Sequence, residues 1–211
     1  ASFYPGKINP IFIYGNVGVG KTHLLHSIGN SVIKKHPYLK VTYVQSRDFI
    51  NDYVMTLKSK TEHNFRLKYK ILDVLLLDDI QFFMDKKHSI IELFYIFNDL
   101  HLANKQMVFC SDRTPSELEN IDKRLISRLA NSVIVEITKP SENTKYNFIK
   151  HYLKKELFHL DEDIIRHLVK SLPGDIRKII GALKKITVFS TILKNKISIS
   201  NIDNIIKDNI S

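Results

Sequence analysis

At 211 residues with 44% apolar side chains, the chain can bury the core of one large domain, or of a domain with a small companion. No run of about eighteen apolar residues is present, which excludes a membrane-spanning helix and leaves only peripheral contact with acidic lipid open. The opening residues do not read as a signal peptide, and a single cysteine, Cys110, excludes an internal disulfide and fits a reducing cytoplasm. The net charge of +10 permits an anionic partner such as nucleic acid, though scattered, solvated lysines in a Lys-, Asn- and Ile-rich chain account for it equally well.

In chain order, near-continuous apolar runs alternate with segments of helical period. Ile11–Tyr14 reads as a strand, followed by the loop GNVGVGKT (Gly15–Thr22) and a helical pattern through Leu24, Leu25, Ile28 and Val32. A strand at Val41–Gln45 leads to Ser46, a suitable cap for a helix with apolar positions Phe49, Ile50, Tyr53, Val54 and Leu57. Val74–Leu77 is a strand ending in Asp78-Asp79, and a helical pattern follows at Ile90, Ile91, Phe94, Phe97 and Leu100. Met107–Cys110 and Val133–Ile137 complete the set. Strands that are apolar throughout, alternating with helices, predict βαβ units and a parallel sheet covered on both faces. After Pro140 the strands stop, and helices are expected near 141–156, 161–172, 174–190 and 201–209. The expected organisation is an α/β nucleotide-binding core over 1–140 and a small all-helical lid over 141–211.

The glycine loop satisfies G-x-x-x-x-G-K-[ST] in full, after a strand and before a helix, which is the context the motif requires. Glycines let the backbone N–H groups turn inward as an anion nest at a helix N-terminus. Lys21 can reach β- and γ-phosphates, and the Thr22 hydroxyl can ligate Mg²⁺. Such a loop needs a carboxylate for the metal. Asp78 at the end of its strand suits that role, and Asp79 can orient or deprotonate the attacking water. The strand ending at Cys110 is followed by Ser111-Asp112, where a polar residue could sense the γ-phosphate; the competing reading is a turn before Pro115 in which Asp112 pairs Arg113. His23 and His26 have no acidic or cysteine partners to complete a metal site, and Cys110 reads as a buried apolar residue.

These elements resemble AAA+ ATPases, and more closely the central ATPase domain of the DnaA family of bacterial chromosomal replication initiators. The residues that carry the resemblance are NPIFIYGNVGVGKTHLLHSIGN (Asn9–Asn30), DVLLLDDIQFF (Asp73–Phe83), FCSDRTPSEL (Phe109–Leu118), DKRLISRL (Asp122–Leu129) and DIRKIIGAL (Asp175–Leu183). The resemblance implies an AAA+ P-loop NTPase with a five-stranded parallel sheet, binding ATP or ADP with Mg²⁺ and hydrolysing ATP slowly as a switch. It implies nucleotide contacts along Asn16, Val17, Gly18, Val19, Gly20, Lys21, Thr22 and His23, metal ligands at Thr22 and Asp78, and catalysis by Asp79 with Asp112 as sensor. Arg128 matches the family's arginine finger, Arg124 a second assembly arginine, and Arg177 the lid arginine called sensor II.

The same resemblance implies an extra helix pair near 46–70 that directs assembly into an open helical filament, and single-stranded DNA contacts at Val54, Lys86, His88 and Ser89. The family commonly carries Arg and Thr where this chain has His88 and Ser89, and a neutral His predicts a weaker phosphate contact. The expected role is ATP-dependent oligomerisation and single-strand binding for origin unwinding. The chain reads as an excised piece of an initiator that elsewhere carries a helicase-binding domain, a domain reading double-stranded origin DNA, and further contacts with initiation factors. Two alternatives share parts of the pattern: a helicase loader, and an ADP-holding regulatory module that acts on the initiator.

Overall fold

Five apolar segments pair side by side in one parallel sheet, and the connections between them are helical. The computed structural model describes residues 4–193 and 197–210. In chain order the first unit contains β1 (Ile11–Tyr14), α1 (Lys21–Lys35), β2 (Val41–Gln45), α2 (Ser46–Ser59), α3 (Glu62–Lys70), β3 (Val74–Asp78), α4 (Lys87–Leu102), β4 (Gln106–Ser111), α5 (Lys123–Ala130) and β5 (Val133–Glu136). The sheet order is β2-β3-β4-β1-β5, every neighbouring pair parallel. A short 3-10 turn, Ile80–Phe83, follows β3.

The continuous apolar character of the central strands has a direct cause. Along β3, Leu75 and Leu77 enter a core with Phe12, Phe49, Phe97 and Phe109, while Val74 and Leu76 enter another with Ile13, Leu25, Val32 and Cys110. Successive side chains point to opposite faces, and helices cover both, so neither face can be polar. Strands β3 and β4 are buried at every position. β5 departs from the expectation of a strand covered on both faces: Val133, Ile134 and Val135 are 49%, 43% and 40% exposed. It pairs only with β1 and ends the sheet, and an edge strand loses cover that its inner neighbours keep.

The chain divides into two compact units, one comprising the residues up to Asn16 with Gly20–Ile137, the other Val17–Val19 with Thr138 onward. Within the second lie α6 (Glu142–Lys155), α7 (Glu162–Ser171), α8 (Ile176–Leu193) and α9 (Ile199–Ile210). Its core is separate, built on residues such as Ile149, Leu168, Leu183 and Ile202. The Ser141 hydroxyl accepts from the Thr144 N–H at 3.2 Å and caps α6, and Asp175 accepts from the Arg177 N–H at 2.7 Å and opens α8. Buried Lys145 donates to the carbonyls of Val169 and Leu172, satisfying the end of α7 where helix carbonyls lack partners.

Candidate nucleotide site and nucleic-acid interface

The end of β1 passes directly into the glycine loop. A Cβ on Gly15 would stand 2.2 Å from the Ile137 carbonyl oxygen, so only glycine fits that approach. Gly20 has open space around it but φ of +105°, a conformation that L side chains rarely adopt. It precedes α1, which has no side-chain cap and no acid in its first turn. The first N–H groups of α1 therefore lack a built-in acceptor, the arrangement that suits an anion. Lys21 is buried, and its ammonium donates to the carbonyls of Gly15 at 2.7 Å and Asn16 at 3.0 Å.

Asp78 closes β3 and is only 2% exposed. Its Oδ2 accepts from the Thr22 hydroxyl at 2.6 Å and from the Tyr43 hydroxyl at 3.1 Å, and its Oδ1 accepts from the Asp79 N–H at 3.1 Å. Ser46 donates to the Asp78 carbonyl at 2.7 Å, tying the start of α2 to the end of β3. Burial, and then the Asp78 charge, push the Tyr43 phenol up to about 12, so it remains a donor across the neutral range. Adjacent hydroxyl and carboxylate oxygens on Thr22 and Asp78 are hard donors that fit Mg²⁺, which takes few protein ligands and completes its shell with water and phosphate. Among the described residues no cluster of three or more His, Cys, Asp or Glu forms an alternative metal centre.

Asp79 sits in the left-handed region, φ 57° and ψ 51°. The Gln81 amide donates to its Oδ1 at 3.0 Å, and the Asp112 N–H points to Gln81 Oε1 at 3.4 Å. Since β4 lies between β1 and β3, the Ser111-Asp112 segment emerges between the glycine loop and the two acids. Asp112 also approaches Arg113 at 3.7 Å, so the pairing weighed against a sensor role is present too. Tyr43, Ser46 and Gln81 escape a sequence reading. Their available signal is position alone: a polar tip in β2, the first residue of α2, and a neighbour of the paired acids. Ser46 does not cap α2 as its sequence position suggests: Gln45 is the N-cap and makes no side-chain capping bond, and the buried Ser46 hydroxyl is spent on the Asp78 carbonyl instead.

A cleft of about 700 Å³ lies beside α2, α4 and the Ile80–Phe83 turn, and Val54, Lys86, His88 and Ser89 all line it. Val54 is on the apolar stripe of α2 yet 40% exposed, so it is not a core residue. Ser89 reaches the cleft from a position only 3% exposed. Arg47 and Phe82 also line it. On α5, Leu125 and Leu129 are buried while Arg124 and Arg128 are exposed. The Arg124 guanidinium holds Asp122 through bonds of 2.7 and 3.0 Å and lies 4.4 Å from the Phe94 ring; Arg128 lies 5.8 Å from the same ring, so both arginines share one side of the helix. Arg177 is exposed on α8 in the helical unit. His23 and Val17 are exposed, whereas Gly18 and Val19 are buried.

Sheet order and loop chemistry together define an ATPase of the AAA+ P-loop class. Residues 1–136 match the family model of the bacterial DnaA ATPase domain. Over 206 residues the chain is 38% identical to the chromosomal replication initiator protein DnaA of Thermotoga petrophila, covering 97% of this chain and 47% of that protein. Domain III of the Thermotoga maritima replication initiation protein DnaA superposes with a TM-score of 0.96 at 37% identity, covering 100% of this chain and 88% of that one. A replication initiator DnaA solved with AMPPCP and single-stranded DNA gives a TM-score of 0.79 at 40% identity, covering 89% and 58% of the two chains. The chain belongs to the bacterial DnaA ATPase domain family, and it spans about half the length of the curated relatives it matches.

Proposed function

We propose that this domain is the ATP-switched part of a chromosomal replication initiator, which assembles on single-stranded DNA when ATP is bound and so opens the origin. The observation that carries the reading is the 2.6 Å contact between Thr22 and Asp78, with Lys21 buried at the start of α1 beside the glycine loop. The glycine loop and the start of α1 receive the phosphates, in a stretch running from Asn16 to His23, and Lys21 moves from loop carbonyls to phosphate oxygens. Thr22 and Asp78 would hold Mg²⁺, which when bound would supply positive charge against the phosphates. Asp79, oriented by Gln81, accepts the proton of the attacking water, and Asp112 reports the γ-phosphate to β4.

Arg177 serves the lid and Arg128 reaches the nucleotide of a neighbouring copy, with Arg124 supporting the same contact. A guanidinium forks onto phosphate oxygens and is permanently charged. A finger supplied by a neighbour contributes about a thousandfold or more in well-studied NTPases; in a slow switch its effect falls chiefly on assembly. Lys86 and His88, with Val54 and Ser89, take the strand in the cleft beside α2 and α4. The relative bound to AMPPCP and single-stranded DNA supports both ligands. In the longer protein, helicase and other initiation factors are further partners.

Sedimentation with a long oligonucleotide tests the reading. The parent should form large assemblies with ATP and not with ADP. Lys21→Ala should lose both tight ATP binding and assembly, while Arg128→Ala should bind ATP nearly as the parent does and still fail to assemble. Equal assembly with ADP would sink the switch and favour an ADP-holding module. Parent-like assembly of Arg128→Ala would make that arginine an ordinary surface residue.

A further inference from the structure

Arg47 lies on the exposed side of the first turn of α2, and its guanidinium carbon stands 3.9 Å from the centroid of the Phe82 ring. Phe82 belongs to the turn that follows the paired acids, and both residues line the cleft that holds Lys86. At that separation the guanidinium charge is held over the ring by a cation–π contact, which uses none of the N–H donors of its planar fork. Among the described residues Arg47 enters no salt bridge. The cleft carries three fixed cations, Arg47, Lys86 and Lys87, against one acid, Asp85, beside the apolar surface of Val54. An unspent guanidinium pinned on an aromatic ring in a cationic cleft is prepared for a phosphate: its fork is planar, and its rotamer freedom is reduced before a ligand arrives.

We propose that Arg47, held on Phe82, is a second phosphate anchor for single-stranded DNA, engaging the backbone at a phosphate other than that taken by Lys86. It rests on the single-strand reading of this cleft. The chemistry favours a polyanion that is long enough to meet several cations and carries flat apolar groups for the Val54 surface, which is what a single strand offers. Phe82 acts through Arg47 and is a positioning residue.

The test is fluorescence anisotropy of labelled oligo-dT with ATP over a salt series. Each phosphate contact in a single strand contributes about 0.7 to the slope of log affinity against log salt. Arg47→Gln should weaken binding several-fold and lower the slope by about that amount. Lys86→Gln should lower it by a similar amount, and the double variant by both. Arg47→Lys should keep the slope yet bind more weakly, because an ammonium neither forks nor stacks flat. Phe82→Leu should do the same. Arg47 is exposed, so matching thermal midpoints are expected for its variants and check the fold. A parental affinity and slope in Arg47→Gln, with Lys86→Gln still losing its share, would overturn this inference and leave the single-strand reading standing. A parent that binds no oligonucleotide with ATP would overturn both.

Discussion

Asp78 is the most heavily held side chain in the nucleotide site. A carboxylate so buried needs donors for its oxygens, and Thr22, Tyr43 and the Asp79 N–H provide them. Tyr43 matters because it shares Oδ2 with Thr22. Were Thr22 to turn its oxygen to a metal, as proposed above, the phenol would be the donor left to fix the carboxylate's orientation, as partners behind a metal ligand do. Tyr43→Phe should therefore leave ATP able to bind but shift the Mg²⁺ dependence of its affinity to about tenfold higher concentration or more. Loss of a hydrogen bond to a charged group costs on the order of 1.5–3 kcal/mol. Calorimetric ATP titrations over a range of Mg²⁺ concentrations check this; an unaltered Mg²⁺ dependence would leave Tyr43 as no more than a ring packed 4.2 Å from His26. The two acids themselves can be read from the sequence, because a polar pair ending an apolar strand beside a phosphate loop has few other uses. Tyr43 cannot, because tyrosine in a strand is ordinary packing until the register with β3 is known.

The helix pair α2 and α3 is attached to the sheet unit in two ways. Phe49 gathers Phe65, Tyr69 and Phe83 around it at centroid separations of 5.0, 5.0 and 5.4 Å. Arg66 on α3 grips Glu92 on α4 through two bonds of 2.6 and 2.8 Å, with Glu92 only 1% exposed. Arg66→Met should strand that carboxylate, costing about 1–3 kcal/mol after discounting for the half-exposed arginine. Urea unfolding should register the loss, and hydrogen exchange should quicken in α3 and the facing part of α4. Adding Glu92→Gln should recover much of it, since the buried charge is then gone. Apolar residues recurring at helical spacing reveal α2, and the family resemblance implies its partner α3. Spacing cannot reveal a partner 26 residues away in sequence, nor that Val54 leaves the core for a cleft, because both depend on how helices cross. Lys145 is similarly illegible: a lysine in a helix reads as solvated until the end of α7 is seen to present its carbonyls to it.

Over the whole molecule, several carboxyls titrate below their usual range. The ammonium of Lys105 and the Lys40 N–H hold Asp73 down, the Arg124 guanidinium holds Asp122, the Thr114 N–H holds Glu117, and the Tyr146 hydroxyl with Lys150 holds Glu162. Each has a lower value folded than unfolded. Its stabilising contribution is therefore complete above the ordinary carboxylate range and disappears as pH falls through the folded value. The melting temperature should be nearly level from neutrality to about pH 5 and drop below about pH 4, and accumulating positive charge on a chain already at +10 steepens the fall. A scan of melting temperature from pH 7 to 3 checks this, and a flat profile would show these pairs to be energetically idle. The burial of Cys110 has a different use. Its sulfur is fully enclosed in β4, and burial pushes the thiol well above its usual range, which withholds the reactive thiolate. The chain also has no tryptophan. The folded domain thus leaves two labels free to be introduced: one cysteine at an exposed position would take up a maleimide dye alone, and one tryptophan would supply the sole indole signal over the nine tyrosines, with no native residue removed first.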